Sequence, residues 1–173
     1  MPAGCVEVKA AFTEEVKISP FRDVSTDAYY YEAVKWAQKK GITGGIGNDL
    51  FGPYQPCTRA QIVTFLWRAA GSPVVNYILP FEDVAESSYY AEAGRWAASQ
   101  GIVSGISPTR FGPALPCTRA QAMTFLYGAM GSPAVTGSAG FQDVSGSDYF
   151  AAAVAWAKAN DITDGVGYGL FGS

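Results

Sequence analysis

The sequence contains no histidine, which removes the commonest general base and the commonest metal ligand together. Most hydrolase and metalloenzyme chemistries fail on that one absence, and no metal or other cofactor is expected. Charge is scarce too. Only 16% of the 173 residues are charged and the net charge is -3, so no field draws the chain towards nucleic acid or anionic lipid. No apolar run approaches the roughly 20 residues that span a bilayer, and membrane insertion is not expected. Met1-Pro2-Ala3-Gly4-Cys5 lacks the basic stretch and apolar core of an intact signal peptide. Ala3-Gly4-Cys5 looks like the end of a lipoprotein cleavage motif, but Pro2 stands where an aliphatic residue is usual. The three cysteines cannot all pair within the chain, so they set no complete disulfide framework.

What the sequence has is apolar content of 49% in a length close to one domain, enough to bury a core. It also has a strict period. Phe21, Phe81 and Phe141 each open a Phe-x-Asp-Val segment, 60 residues apart. Trp36, Trp96 and Trp156 keep that spacing, as do Phe51, Phe111 and Phe171, the set Tyr29, Tyr89 and Tyr149, and the pair Cys57 and Cys117. Repetition at such a period marks stacked supersecondary units. Repeat one covers 21–80, repeat two 81–140, and repeat three, 141–173, carries only a first half; residues 1–20 precede them.

Each first half predicts a helix near 28–40, because Tyr30, Ala33, Val34 and Ala37 recur on one helical face. Gly41 and Gly101 follow as left-handed caps, with Asp161 in that place in repeat three. A Gly- and Pro-punctuated loop comes next, and its Phe51 or Phe111 should plug onto the helices. The second half predicts a helix near 58–70. Thr58-Arg59-Ala60-Gln61 and Thr118-Arg119-Ala120-Gln121 fit the capping box, in which hydroxyl and amide side chains satisfy each other's backbone N–H. Gly71-Ser72-Pro73 and Gly131-Ser132-Pro133 end these helices. Linkers 74–80 and 134–140 are short, so neighbouring helix pairs share one core. The fold class is all-α.

The ordered series Phe-x-Asp-Val, aromatic-rich helix, Gly-Ile-Thr-x-Gly, Phe-x-Pro and Thr-Arg-Ala-Gln over 21–173 closely resembles the S-layer homology module. That resemblance implies three helix-loop-helix lobes in a pseudo-threefold spindle, the third truncated here. It implies no enzymatic activity and an extracellular place on the bacterial cell wall. It also implies binding of secondary cell wall polysaccharide, often through the carboxylate of a pyruvate ketal. The family's Thr-Arg-Ala-Glu arginine carries over to Arg59 and Arg119, with Thr58, Thr118, Gln61 and Gln121 beside them. Glutamine stands for the usual glutamate, which keeps the cap and removes a negative charge. Tyr30 and Tyr90 stand where the family often has tryptophan, with Phe150 in repeat three, and the exposed edges of Tyr30, Tyr90 and Tyr31 are the stacking candidates. A competing reading is a protein-interaction or self-assembly module without a glycan site. Other copies, or a cargo domain of the same surface protein, are then further partners.

Arg59 and Arg119 each open a helix, where the dipole already favours an anion, and both are expected to face a groove and stay partly open to solvent. The plainer alternative pairs them with Asp83 or Asp143. Asp23, Asp83 and Asp143 read as capping and loop anchoring rather than as catalytic carboxylates. Cys57 and Cys117 read as small apolar residues stapled against Ile62 and Ala122. In neighbouring lobes they should lie far beyond the ~7 Å Cα separation that a bridge allows. Residues 141–171 are expected to miss a partner helix. The segment from Cys5 to Ile18, with Val8, Ala11, Phe12 and Val16 on one helical face, is expected to cover that third lobe, although Val6-Glu7-Val8-Lys9 also alternates like a strand. The rival account gives that place to a second chain or a removed downstream segment.

Overall fold

The computed structural model describes residues 18–173. Five helices follow one another: α1 (Tyr31–Lys39), α2 (Arg59–Ala69), α3 (Ala91–Ser99), α4 (Arg119–Ala129) and α5 (Ala151–Ala159). Among the described residues there is no strand, only four isolated antiparallel bridges. Equivalent helices begin and end 60 residues apart, so the sequence period is also the structural one.

The two helix types start differently. In α2 and α4 the capping box is complete: Gln61 N–H donates to Thr58 Oγ1 at 3.2 Å and Thr58 N–H to Gln61 Oε1 at 2.8 Å, with the same pair at Thr118 and Gln121. In α1, α3 and α5 an aromatic residue sits at the N-cap without a side-chain bond. Asp23, Asp83 and Asp143 therefore do not cap these helices. Each carboxylate instead accepts the two amides of the loop aromatic and the next glycine: Phe51 and Gly52, Phe111 and Gly112, Phe171 and Gly172, all between 2.7 and 2.9 Å. At the other end of the first helix, Gly41 and Gly101 adopt φ of 70° and 66°, and Asp161 takes the same left-handed turn at 56°; an acidic residue tolerates it because its short side chain can bond locally.

Packing crosses the repeat boundary. α2 packs on α3 and α4 on α5, and a smaller α2–α4 contact joins the two pairs. The sequence repeat is thus not the packing unit: each second helix is the partner of the next repeat's first helix. The largest buried cluster reflects this, uniting Val63 of α2 with Trp96 and Ala97 of α3 and with Phe111 and Phe125.

This pairing corrects the expected vacancy. The third first-half is already covered, since Val154 and Ala157 are fully buried and Tyr127 of α4 lies 5.7 Å from Trp156, ring to ring. Among the described residues, the open face belongs to α1. Trp36 is 55% exposed where Trp96 is 8% and Trp156 9%, and Phe51 is only half-buried where Phe111 and Phe171 are completely buried. A groove of about 970 Å³ runs there, lined among others by Tyr30, Ala33, Trp36, Phe51 and Tyr54. Apart from Ile18, whose carbonyl accepts the Tyr31 hydroxyl at 3.2 Å, the segment assigned to cover the third lobe lies outside the described residues.

Candidate functional site

Identical tetrapeptides place Arg59 and Arg119 at the first turn of α2 and α4, yet their surroundings differ. Loop 113–117 of repeat two closes over the α2 N-terminus. Arg59 N–H donates to Leu115 O at 3.0 Å and Ala60 N–H to Pro113 O at 3.1 Å, so two of the orphan amides that every helix start leaves are already satisfied. The Arg59 guanidinium donates to Phe111 O at 2.9 Å and Ser104 O at 2.8 Å. It lies 4.8 Å from the Phe111 ring and 5.1 Å from the Phe125 ring. Only 3% of the residue is exposed.

The expectation that Arg59 faces a groove open to solvent is therefore wrong. Its cation is held by carbonyl oxygens and aromatic faces of the next repeat. Neither arginine pairs with Asp83 or Asp143; Arg110 approaches Asp83 at 4.0 Å instead. Burial pulls the Arg59 pKa below its usual value, against the opposing pull of Cys117, Tyr149 and Asp83.

Arg119 is exposed. It reaches Phe171 O at 3.2 Å and Thr163 Oγ1 at 3.4 Å, and stacks 5.1 Å from the Phe171 ring. Among the described residues it has no carboxylate partner, and the Arg119 and Ala120 amides find no acceptor. An exposed cation without a carboxylate partner, beside two helix N-terminal amides that find no acceptor among the described residues, is chemically suited to an anion.

Thr58, Gln61, Thr118 and Gln121 are engaged in their capping boxes. Tyr30 and Tyr90 are half-buried, and Tyr31 is buried at 1%, so none of these three is the most exposed ring at its site. That place falls to Tyr29 at 98%, Tyr89 at 62% and Tyr149 at 69%, each edge-on to its neighbour at 5.0–5.1 Å. Sequence reasoning treated this strictly repeated tyrosine only as a marker of period. A second residue it passed over is Arg68, which donates to Ile42 O at 3.1 Å. With Tyr89, Gln61 and Thr43, Arg68 lines a groove of about 680 Å³. The counterpart of Arg68 in α4 is Gly128, where a Cβ would stand 3.1 Å from Ile102 Cα, so repeat two carries no such cation.

Among the described residues there is no cluster of metal-binding side chains and no helix long and apolar enough to cross a membrane. Residues 20–63 and 80–123 match the S-layer homology domain. The chain belongs to the S-layer homology domain family. It is 34% identical over 127 residues to a cell surface protein of Thermoanaerobacter kivui, covering 65% of this chain and 16% of that one. It is 30% identical over 116 residues to the surface layer protein of Brevibacillus choshinensis, covering 64% of this chain and 10% of that protein. A middle cell wall protein of Brevibacillus brevis is 29% identical over 116 residues, covering 64% of this chain and 11% of the relative. The chain therefore spans well under a fifth of the length of these relatives.

Proposed function

We propose that this chain is a non-catalytic module that anchors a surface protein to the bacterial cell wall by binding an anionic, pyruvylated wall polysaccharide. Family membership and the surface and cell wall proteins it resembles support the anchoring role. The observation that carries the ligand class is the exposed Arg119 guanidinium beside the unpaired amides of Arg119 and Ala120. A pyruvate ketal offers a carboxylate that one guanidinium and two amide donors can hold with charge-assisted bonds. The exposed ring of Tyr149, two residues before α5, offers a face for a sugar. Arg59 acts in this reading as a positioning residue that locks repeat one to repeat two.

The test is co-sedimentation with purified cell walls before and after chemical removal of ketal-linked pyruvate. Retention should fall sharply on de-pyruvylated walls, and Arg119→Ala should lose wall binding while its thermal unfolding stays near that of the parent. Equal retention on both wall preparations would instead favour the protein-interaction module.

A further inference from the structure

The repeated cysteines are neighbours, contrary to the separation expected of them. Arg59 N–H bonds Leu115 O at 3.0 Å and Cys117 N–H bonds Cys57 O at 2.8 Å, and these two bonds flank the antiparallel bridge between Thr58 and Pro116. In that register Cys57 and Cys117 stand directly opposite each other. Residues so placed have Cα atoms about 5.5 Å apart with side chains on the same face, inside the Cα range of roughly 4.4–6.8 Å that disulfides span. The earlier expectation failed because it treated the two sites as equivalent points of separate lobes. Loop 113–117 in fact folds back across the start of α2.

We propose that Cys57 and Cys117 form an intramolecular disulfide that staples repeat one to repeat two. Both are free thiols in the structure and both are half-buried. The step needs a two-electron oxidant, for which a low-molecular-weight disulfide suffices. The thiolate of one cysteine attacks it, forming a mixed disulfide and releasing one small thiol. The second cysteine then displaces the other small thiol, so the two protein sulfurs are oxidised as one external disulfide is reduced to two thiols. Opposed Cβ atoms in such a pair lie about 4.5–5.5 Å apart, so closure to the ~3.8 Å of a disulfide asks the two connecting segments to approach by about 1 Å. Both segments are loop rather than helix up to Thr58 and Thr118, which leaves room for that shift. The reduced pair is slow to react: burial pushes both thiols up, Cys117 to about 11, so little thiolate is present near neutrality.

The cross-link would close a loop running from 57 to 117 and hold α2 and Arg59 against the repeat-two carbonyls they bind. It does not depend on the glycan reading, and its test involves no wall material. The full chain carrying Cys5→Ser is treated with oxidised glutathione, digested with trypsin without reduction, and analysed by mass spectrometry. The expected product is peptide 41–59 joined to peptide 111–119, formed faster as pH is raised, with no free thiol left. The oxidised protein should melt about 5–15 °C above its reduced form, as a loop of this length implies, and Cys57→Ala or Cys117→Ala should abolish that gain. Glutathione adducts on the two cysteines without a linked peptide would overturn the proposal, as would an oxidised form no more stable than the reduced one.

Discussion

Arg59 and Arg119 open the same tetrapeptide and reach for the carbonyl of the same loop aromatic on the following repeat, Phe111 and Phe171. One is buried at 3% and the other is exposed. The local sequence decides that each arginine leaves its helix start towards a loop aromatic. What then covers the side chain is decided elsewhere: over Arg59 lie the Phe111 ring and the Phe125 ring of α4, with the Ser104 carbonyl accepting its guanidinium, while the described part of repeat three reaches Arg119 only through Phe171 and Thr163. Among the described residues, the same motif residue is thus a structural clamp at one copy and an exposed donor at the next. The first helices show the same contrast, since Trp96 and Trp156 lie under α2 and α4 while Trp36 stands open on α1.

The largest difference should come from the tryptophans. Trp156→Ala is expected to cost about 3–5 kcal/mol, the usual loss for a buried large ring, whereas Trp36→Ala should cost below about 1 kcal/mol. Equal losses in urea unfolding would mean that α1 is covered after all. The arginine pair is expected to show a smaller gap. Arg59→Ala leaves the buried Phe111 carbonyl, and the part-buried bond at Ser104, without their charged donor, at about 3 kcal/mol, while Arg119→Ala should change stability by about 0–1 kcal/mol. Reversed values would break the assignment of clamp and open donor.

The smallest effects should come from the three loop-anchoring aspartates, where the copies are alike. Amides of Phe51 and Gly52 hold Asp23 below the usual carboxylate range, and those of Phe171 and Gly172 do so for Asp143. At Asp83 burial pushes the other way, but the Phe111 and Gly112 amides win and the value is lowered as well. A carboxylate whose folded pKa is depressed contributes stability that is fully present above its unfolded value near 3.9 and is lost as pH falls through the folded value. Stability should therefore hold down to about pH 4 and decline below it, and Asp23→Asn, Asp83→Asn or Asp143→Asn should each flatten that acid limb by a similar step. An acid limb unchanged in all three variants would remove the loop-anchoring role.

Much of the fold was legible because its signals are local. The helix positions and the Thr–Gln capping boxes depend on residues within a turn or two of each other, and the 60-residue period repeats those local signals along the chain. The two carboxylate-bound amides of each loop were half legible. The aspartate was seen as an anchor, but the atoms it holds lie 28 and 29 residues away. The candidate site was read less well: Arg59 was expected open, Tyr31 was offered as a stacking edge although it is buried, and Tyr89 and Arg68 were passed over. Exposure of a ring or a cation is a property of what packs on it, and the flanking residues of Tyr29 and Tyr30 do not encode which of the two faces solvent.

The sequence by itself determined the all-helical class, the 60-residue period, the Thr–Gln capping boxes, and the pair of arginines at helix starts, because each follows from periodicity or from hydrogen bonds closed within one turn. Only the tertiary structure decided that second helices pack on the next repeat's first helix, that among the described residues α1 rather than α5 keeps an open face, that Arg59 is buried and Arg119 is not, and that Cys57 meets Cys117. The physical reason is one of range. Those four facts rest on contacts between segments some 30 to 60 residues apart, and a strict repeat makes every copy look alike until the chain shows which neighbours each copy has.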